Sequence, residues 1–142
     1  MRISDRGIGL IKRFEGCRLT AYGDSAGVMT IGYGHTGGVR RGDTITEDQA
    51  EEYLRRDVKV AETCISSAVT VPLNQNRFDA LCSLVYNIGC GAFLRSSLRR
   101  KINLDPSDPS IRGEFIRWTH AGGRSLPGLE RRRREEADLY FS

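Results

Sequence analysis

No long apolar run occurs in the 142-residue sequence, so no segment approaches the length of a membrane-spanning helix. The N-terminal stretch MRISDRGIGLIKRFEG also lacks the continuous apolar core of a signal peptide. We therefore expect synthesis in the cytoplasm and no stable membrane insertion. If the protein works elsewhere, another component has to let it out.

Cysteine and histidine spacings typical of metal sites are absent as well. Cys17, Cys64, Cys82 and Cys90 are scattered without a CxxC motif, so we do not expect a zinc site. On one unbroken helix Cys82 and Cys90 would lie about 12 Å apart, at roughly 1.5 Å per residue, which is beyond disulfide reach. We expect mostly buried free thiols.

The sequence also lacks a recognisable nucleic-acid-binding module. Its 22 Lys and Arg against 18 Asp and Glu give a net charge of +4, which suits a polyanion: nucleic acid, an anionic membrane or an acidic cell-wall polymer. Basic residues are not interleaved with stacking aromatics, so nucleic acid is not expected. The densest basic run, residues 131–134, is followed by Glu135 and Glu136 and indicates a charge-balanced helix.

Capping residues and helical periodicity predict a mainly helical chain. The clearest signals are Ser4, Asn74 and Ser96 as N-caps, and a capping box formed by Thr46 and Gln49. The predicted helices span about residues 4–16, 46–68, 74–89, 96–104, 110–120 and 129–141. A Gly-Pro-rich loop, AGGRSLPG, precedes the last one.

Short strand-like pieces, LTAY and VMTIGY, lie between residues 18 and 38 and flank the turn sequence DSAG. They predict a small antiparallel sheet. We expect one domain, residues 1–142, with an α+β, mainly α fold. The long helix 46–68 is expected to join two lobes. One is a β-rich lobe over about 15–45, and the other is a larger helical lobe over 69–142 with 1–14. A crevice between two such lobes is a typical ligand site.

The candidate catalytic residues in the stretch RFEGCRLTAYGDSAGVMTIGYGH are Glu15, Asp24 and Thr30. Glu15 ends the first helix, where the negative end of the helix dipole favours the protonated acid. Asp24 lies in a glycine-flanked turn where solvent and backbone amides favour the ionised form. Thr30 follows on the neighbouring strand and can share a water with Asp24. An acid and an ionised carboxylate with a held water suit cleavage of a glycosidic bond. Each residue is also ordinary in its place, so the pattern alone leaves catalysis open.

Several longer motifs in the sequence resemble those of a known protein family. FEG, AYGDSAG and TIGYGH between Glu15 and His35 resemble the active-site signature of the phage T4-type lysozymes, the endolysins of glycoside hydrolase family 24. The segment VPLNQNRFDALCSLVYNIG is similar to the central helix of the lambdoid-phage branch, and LPGLERRRREEADLYF is similar to its C-terminal signature. The resemblance covers nearly the whole chain.

This resemblance implies a lysozyme-like two-lobe fold and an N-acetylmuramidase that lyses the host cell. Such an enzyme hydrolyses the β-1,4 bond between N-acetylmuramic acid and N-acetylglucosamine in peptidoglycan, with inversion. Glu15 would be the general acid, while Asp24 and Thr30 would position the water. An inverting site predicts carboxyl groups roughly 6.5–9.5 Å apart. No metal or cofactor is expected, because carboxyl groups supply both acid and base.

The resemblance assigns further residues outside the triad. His35 would pair with Asp57 on the long helix as a stabilising contact. One arginine of the C-terminal helix would approach Glu15, and among residues 131–134 we favour Arg131. Packing at a helix end is the alternative role for Tyr86 and Asn87. Positions that match sugar-contacting residues of the family are Thr36, Tyr86, Asn87 and Ser97.

Partners and location follow from the same resemblance. We expect a monomer that is made in the host cytoplasm and acts on peptidoglycan in the periplasm. Some lambdoid relatives begin with a membrane-anchoring export segment, which this sequence does not show. Either a holin opens the inner membrane for the protein, or the sequence lacks an export segment carried by the full protein.

Alternative functions make different demands on the triad. A lytic transglycosylase cleaves the same bond without water, so Asp24 and Thr30 would have no purpose. A non-catalytic wall-binding module has no need of Glu15. Cationic membrane disruption would need a large basic amphipathic stretch, which the sequence lacks.

Overall fold

A computed structural model of the chain describes residues 1–121 and 123–142. The fold is α+β and mainly helical, as predicted. The chain divides into two compact units, residues 9–59 and residues 1–8 with 60–142. The helices are α1 (Asp5–Glu15), α2 (Glu47–Ala68), α3 (Gln75–Ile88), α4 (Cys90–Leu94), α5 (Ser97–Leu104), α6 (Ile111–Ile116) and α7 (Pro127–Tyr140), and the strands are β1 (Arg18–Gly23), β2 (Met29–Gly32), β3 (His120–Ala121) and β4 (Arg124–Ser125).

The unit of residues 9–59 contains the predicted antiparallel sheet. Strands β1 and β2 pair with Tyr22 opposite Thr30 and Gly23 opposite Met29, and the register is irregular between Arg18 and Tyr22. An isolated bridge adds Thr20 opposite Thr44. This hairpin brings the turn that contains Asp24 beside the strand that contains Thr30, because residues 24–28 connect the two strands.

Helix α2 begins with the capping box that the sequence predicts. The backbone amide of Thr46 donates to Gln49 Oε1 at 2.9 Å, and the amide of Gln49 donates to Thr46 Oγ1 at 3.1 Å. These two bonds satisfy amides that have no partner inside the helix. Leu54 and Val58 follow on the buried side of the helix. The capping box therefore fixes where the long helix begins.

The other unit is built around α3, which packs against α7. Asn74 caps α3 by accepting the Arg77 amide at 2.9 Å, and Gly89 ends it at a φ of 88°, a conformation that favours glycine. The first turn of α1 is held by a buried carboxylate of α3, because Asp79 Oδ1 accepts the Ser4 amide at 2.9 Å and Oδ2 accepts the Ser4 hydroxyl.

The cysteine expectation was wrong for one pair. Cys64 of α2 and Cys90 of α4 form a disulfide with their Cα atoms 5.9 Å apart. Cys90 does not continue the helix of Cys82, because α3 ends at Ile88 and α4 begins after Gly89. Cys82 is a buried free thiol whose pKa is raised by burial, while Cys17 is free and exposed. Only Cys82 matches the predicted buried free thiol.

Three boundaries in the C-terminal third differ from the predicted ones. Helix α6 ends at Ile116 instead of continuing to His120. The expected loop AGGRSLPG contains strand β4 and contributes Ala121 to β3, and the two strands pair with His120 opposite Ser125. Gly122 of that loop lies outside the described residues. Helix α7 starts at Pro127, a residue suited to a first helical turn because its missing amide needs no partner there.

Candidate active site

Glu15 is the last residue of α1 and is half-buried. The helix stops there because Gly16 takes a φ of 69°, and the Gly16 amide bonds to the Lys12 carbonyl at 3.0 Å. One helical turn earlier, Lys12 forms an ion pair with Glu51 of α2. The Glu51 pKa is lowered by that hydrogen bond and charge. The glycine stop and this ion pair set the position of Glu15 at the helix end.

Asp24 organises the turn between β1 and β2. Its Oδ1 accepts two backbone amides, from Ala26 at 2.8 Å and from Val28 at 2.9 Å. Its own amide donates to the Val28 carbonyl at 2.9 Å. The side chain is exposed. Two amide donors hold the carboxylate in one orientation and leave Oδ2 as the oxygen that faces other groups.

Thr30 is buried, with 4% of its surface exposed. Its hydroxyl donates at 2.9 Å to the carbonyl of Val28, two residues earlier in the chain. The single hydroxyl hydrogen is used in this bond, so Thr30 Oγ1 can only accept a hydrogen bond from a further molecule. The residue thus offers an acceptor oxygen of fixed position.

Val28 links these two side chains through its own peptide groups. Its amide binds the Asp24 carboxylate, and its carbonyl binds both the Asp24 amide and the Thr30 hydroxyl. Both polar groups are therefore oriented by the same short backbone segment. A water that bonded to both groups would donate one hydrogen to Thr30 Oγ1 and the other to the Asp24 carboxylate.

His35 and Asp57 are brought together within the same unit. His35 Nδ1 lies 2.8 Å from Asp57 Oδ2, and Nε2 lies 2.9 Å from the Gly37 carbonyl oxygen. Both ring nitrogens thus lie within hydrogen-bond distance of an oxygen, and these two contacts fix the orientation of the ring. The ring also stacks on Tyr53 with centroids 4.4 Å apart. These contacts tie the loop after β2 to α2, and Thr36 lies exposed in that loop.

Tyr86 and Asn87 lie in the last turn of α3, in the unit of residues 1–8 and 60–142. Asn87 is exposed, and its Oδ1 accepts a hydrogen bond from Arg133 Nη2 at 2.6 Å. Arg133 is fully buried, whereas Arg131 is exposed. Arg133 is thus bonded to a predicted sugar-binding residue. The sequence did not single it out, because the run of identical residues hides which of them faces the core.

A buried charge cluster supports Arg133. Glu136 lies 3.2 Å from Arg132 Nε and 3.3 Å from Arg133 Nη1, and it accepts the Ser83 hydroxyl at 2.5 Å. Burial raises the pKa of Glu136, while the two guanidinium groups and the Ser83 hydroxyl act to lower it. The cluster joins α7 to α3 just before Tyr86 and Asn87. It therefore braces the end of α3 that presents the two predicted sugar contacts.

Ser97 begins α5, after the N-cap Ser96. Its hydroxyl donates to Glu114 Oε1 at 2.5 Å and accepts from Arg117 Nη1 at 3.1 Å. Arg117 and Lys101 both pair with Glu114, at 3.0 and 3.3 Å. Ser97 is thus held by an ionic cluster on α5 and α6, of which Glu114 and Arg117 were not predicted.

Comparison with known proteins decides the family. The sequence model described as phage lysozyme matches residues 12–136, which include all three residues of the predicted triad. The chain belongs to the phage lysozyme family. The endolysin of Acyrthosiphon pisum secondary endosymbiont phage 1 is 48% identical over 147 residues and covers 100% of this chain and 99% of that protein.

Solved structures of the phage lysozyme fold agree with this assignment. A crystal structure of a P22 lysozyme mutant is 45% identical, has a TM-score of 0.90, and covers 100% of this chain and 99% of its own. The muramidase domain of SpmX from Asticaccaulis excentricus is 36% identical, with a TM-score of 0.92 and coverage of 99% and 98%. Membership of the phage lysozyme family makes this chain a lysozyme-type glycoside hydrolase with a peptidoglycan-lytic function.

Proposed function

We propose that this phage lysozyme hydrolyses the β-1,4 bond between N-acetylmuramic acid and N-acetylglucosamine, with inversion, in bacterial cell walls. The observation that carries the proposal is the pairing of Asp24 with Thr30 through Val28. An oriented carboxylate next to an acceptor hydroxyl is what an attacking water needs. The activity would lyse the host cell.

The proposed reaction begins with a water at Thr30 and Asp24. One water hydrogen is donated to Thr30 Oγ1, whose own hydrogen is bonded to Val28. The other is donated to Asp24, which takes up that proton as the water oxygen bonds to the anomeric carbon of muramic acid. The glycosidic C–O bond breaks as Glu15 gives its proton to the leaving oxygen. Asp24 ends protonated and Glu15 ionised, so a proton exchange with solvent restores both.

Glu15 suits the acid role because of its place at the C-terminus of α1. The carbonyl groups of the last turn place the negative end of the helix dipole beside its carboxyl group. Asp24 differs because two amides bind its charged form. The two carboxyl groups therefore have the unequal surroundings that separate an acid from a base.

Sugar contacts in this proposal come from the exposed or half-buried polar side chains already described. Asn87 offers its amide donors, Ser97 its hydroxyl, and Tyr86 its ring face. Thr36 lies in the loop held by His35 and is the remaining contact. Arg131 stays a predicted neighbour of Glu15, while the bond to Asn87 favours Arg133 as the arginine that positions a sugar-binding group.

We also propose that the chain acts as one lysozyme domain and as a monomer, with peptidoglycan and not nucleic acid as its partner. Among the residues that the structure describes, no helix is long and apolar enough to cross a membrane. As a separate part of the proposal, the protein is made in the host cytoplasm and reaches the wall through a holin opening.

The experiment that tests inversion is proton NMR of the first product formed from a soluble peptidoglycan oligosaccharide. The new reducing-end muramic acid should appear first as the α anomer and then equilibrate. A first-formed β anomer would contradict the role given to Asp24 and Thr30.

Glu15→Gln should lower kcat by about 10²–10⁴-fold, the range typical of a lost general acid. Glu47→Gln, at the exposed start of α2, is the matched control and should keep full activity.

A further inference from the structure

The turn after β2 places Tyr33 beside the residues that follow Glu15, within the unit of residues 9–59. Strand β2 ends at Gly32, which lies opposite Arg18 at the start of β1. In the chain, Glu15 comes shortly before Arg18, and Thr30 comes shortly before Gly32. The predicted acid and the predicted water-holding threonine are therefore linked through this one end of the strand pair.

The strand ladder is interrupted near this end. Arg18 and Tyr22 are four residues apart on β1, whereas their partners Gly32 and Thr30 are two residues apart on β2. The extra residues of β1 have no matching partners on β2, as in a β-bulge. An interrupted ladder constrains the segment that leads back to Glu15 less than a continuous one, so side-chain contacts gain weight there.

Tyr33 itself is held in a tight turn. The Ile31 amide donates to the His35 carbonyl at 2.9 Å, and the His35 amide donates to the Ile31 carbonyl at 2.9 Å. Within this turn Gly34 takes a φ of 90°, a conformation that favours glycine. The backbone of Tyr33 is therefore a fixed point to which a less constrained segment can be tied.

The side chain of Tyr33 contacts residues on both sides of Glu15 in the sequence. Its hydroxyl is hydrogen-bonded to the Cys17 thiol. The Lys12 ammonium lies 5.7 Å from the centroid of its ring, within the range of a cation–π contact. The same ammonium pairs with Glu51 of α2. Tyr33 thus binds the chain before and after the end of α1.

The Tyr33 hydroxyl keeps its proton at neutral pH. Partial burial is the main cause that raises the pKa of Tyr33, and Cys17 raises it further, while Lys12 acts to lower it. A neutral phenol can donate its hydrogen to sulfur, which is a weak acceptor. The contact between the two side chains is therefore directional and modest in strength.

We propose that Tyr33 is a positioning residue for the general acid Glu15. Its contacts with Lys12 and Cys17 hold the acid in the place relative to Thr30 that the reaction requires. The inference rests on the proposed function, and Tyr33 touches no reacting atom in it. A shift of about 1 Å in a reacting group can slow a reaction by about 100-fold, so loss of the tether should lower kcat. KM should change little, because Tyr33 is not a sugar contact.

The test is a double-mutant cycle with kcat and KM measured on a soluble peptidoglycan glycan. Tyr33→Phe and Cys17→Ala each remove the same hydrogen bond, and each should lower kcat about tenfold with KM near the native value. The combined variant should lose no more than either single variant, because the contact is already gone. Cys17→Ser can still form the hydrogen bond and should retain most of the native kcat.

The matched control is Tyr53→Phe, which removes a tyrosine hydroxyl in the same unit and keeps the ring that stacks on His35. It should have the native kcat. Thermal melting of every variant is measured alongside, with kinetics run well below the transition. Native melting together with a lowered kcat is the result expected of a positioning residue, whereas a purely structural role would lower the melting temperature and leave kcat of the folded enzyme unchanged.

Several results would overturn the proposal. A native kcat in Tyr33→Phe, a change confined to KM, or losses that multiply in the combined variant would each remove Tyr33 from the positioning of Glu15. These results leave the proposed function standing as long as Glu15→Gln, measured in the same series, is inactive. Native activity in Glu15→Gln would instead contradict the proposed function itself.

Discussion

Arg133 donates a hydrogen bond to Asn87 Oδ1 at 2.6 Å, from a fully buried guanidinium to an exposed amide. Because this bond uses the amide oxygen, the two N–H donors of Asn87 are the groups that would meet a sugar at the proposed site. Glu136 pairs with Arg133 from the next turn of α7 and fixes its position. The orientation of a predicted sugar contact is thus set inside the protein core.

Replacing the donor end of Asn87 should weaken sugar binding without loss of the fold. In Asn87→Asp the new carboxylate can pair with Arg133, but it has no N–H to donate. We expect KM on peptidoglycan to rise about tenfold with a smaller change in kcat, the size expected for one lost hydrogen bond. Asn76→Asp, on the first turn of the same helix, is the control. An unchanged KM in Asn87→Asp would show that the amide donors do not contact sugar.

Thr30 is predicted to act through its hydroxyl oxygen. Thr30→Val keeps the shape of the side chain but removes the acceptor, so kcat should fall by about 10–100-fold with little change in KM. Thr30→Ser keeps the hydroxyl and should retain most activity. Thr44→Val, an exposed threonine of the same unit, should behave as the native chain. Full activity in Thr30→Val would mean that the water is held by other groups.

Reduction of the disulfide between Cys64 and Cys90 should destabilise the protein. The bridge closes a loop with a sequence separation of 26 residues. By the loop-entropy relation such a bridge contributes about 3.5 kcal/mol. Urea unfolding with and without a reductant measures this difference, and Cys64→Ser/Cys90→Ser should match the reduced native chain. Cys17→Ser, which removes an exposed free thiol, should leave the midpoint unchanged. Equal midpoints for the oxidised and reduced protein would contradict the prediction.

Glu114 should make part of the stability depend on pH. Although burial acts to raise the pKa of Glu114, hydrogen bonds from Ser97, Arg117 and Lys101 outweigh burial and lower it. A carboxyl group with a lowered folded-state pKa stabilises fully above its unfolded pKa, roughly 4.3, and loses that contribution as the pH falls through the folded value. Glu114→Gln should therefore reduce the unfolding free energy more at pH 7 than at pH 3. The same reduction at both values would contradict this assignment.

Much of the fold follows from local signals in the sequence. The capping box of Thr46 and Gln49, the Asn74 cap and the glycine stop at Gly89 act within a few residues, so they can be predicted without tertiary information. The turn that holds Asp24 beside β2 is local in the same way. These features account for the mainly helical fold and for the surroundings of Asp24 and Thr30.

What the sequence left open depends on contacts between distant segments. The partner of Cys64 is decided by where α4 begins, and that start follows from the break at Gly89. Likewise, the packing of α7 on α3 decides which of four identical arginines is buried, and it selects Arg133. The ionic cluster of Ser97, Glu114 and Arg117 likewise joins α5 to α6, and no local motif in the sequence predicts that contact.

The central claim is that a water held by Asp24 and Thr30 cleaves the glycan while Glu15 supplies the proton. Mass spectrometry of the products released from purified peptidoglycan in water enriched with oxygen-18 tests it most directly. The account predicts reducing-end muramic acid that carries the heavy isotope, formed by the native chain and not by Glu15→Gln. Unlabelled anhydro-muramic acid would contradict it, because the bond would then have been broken without water.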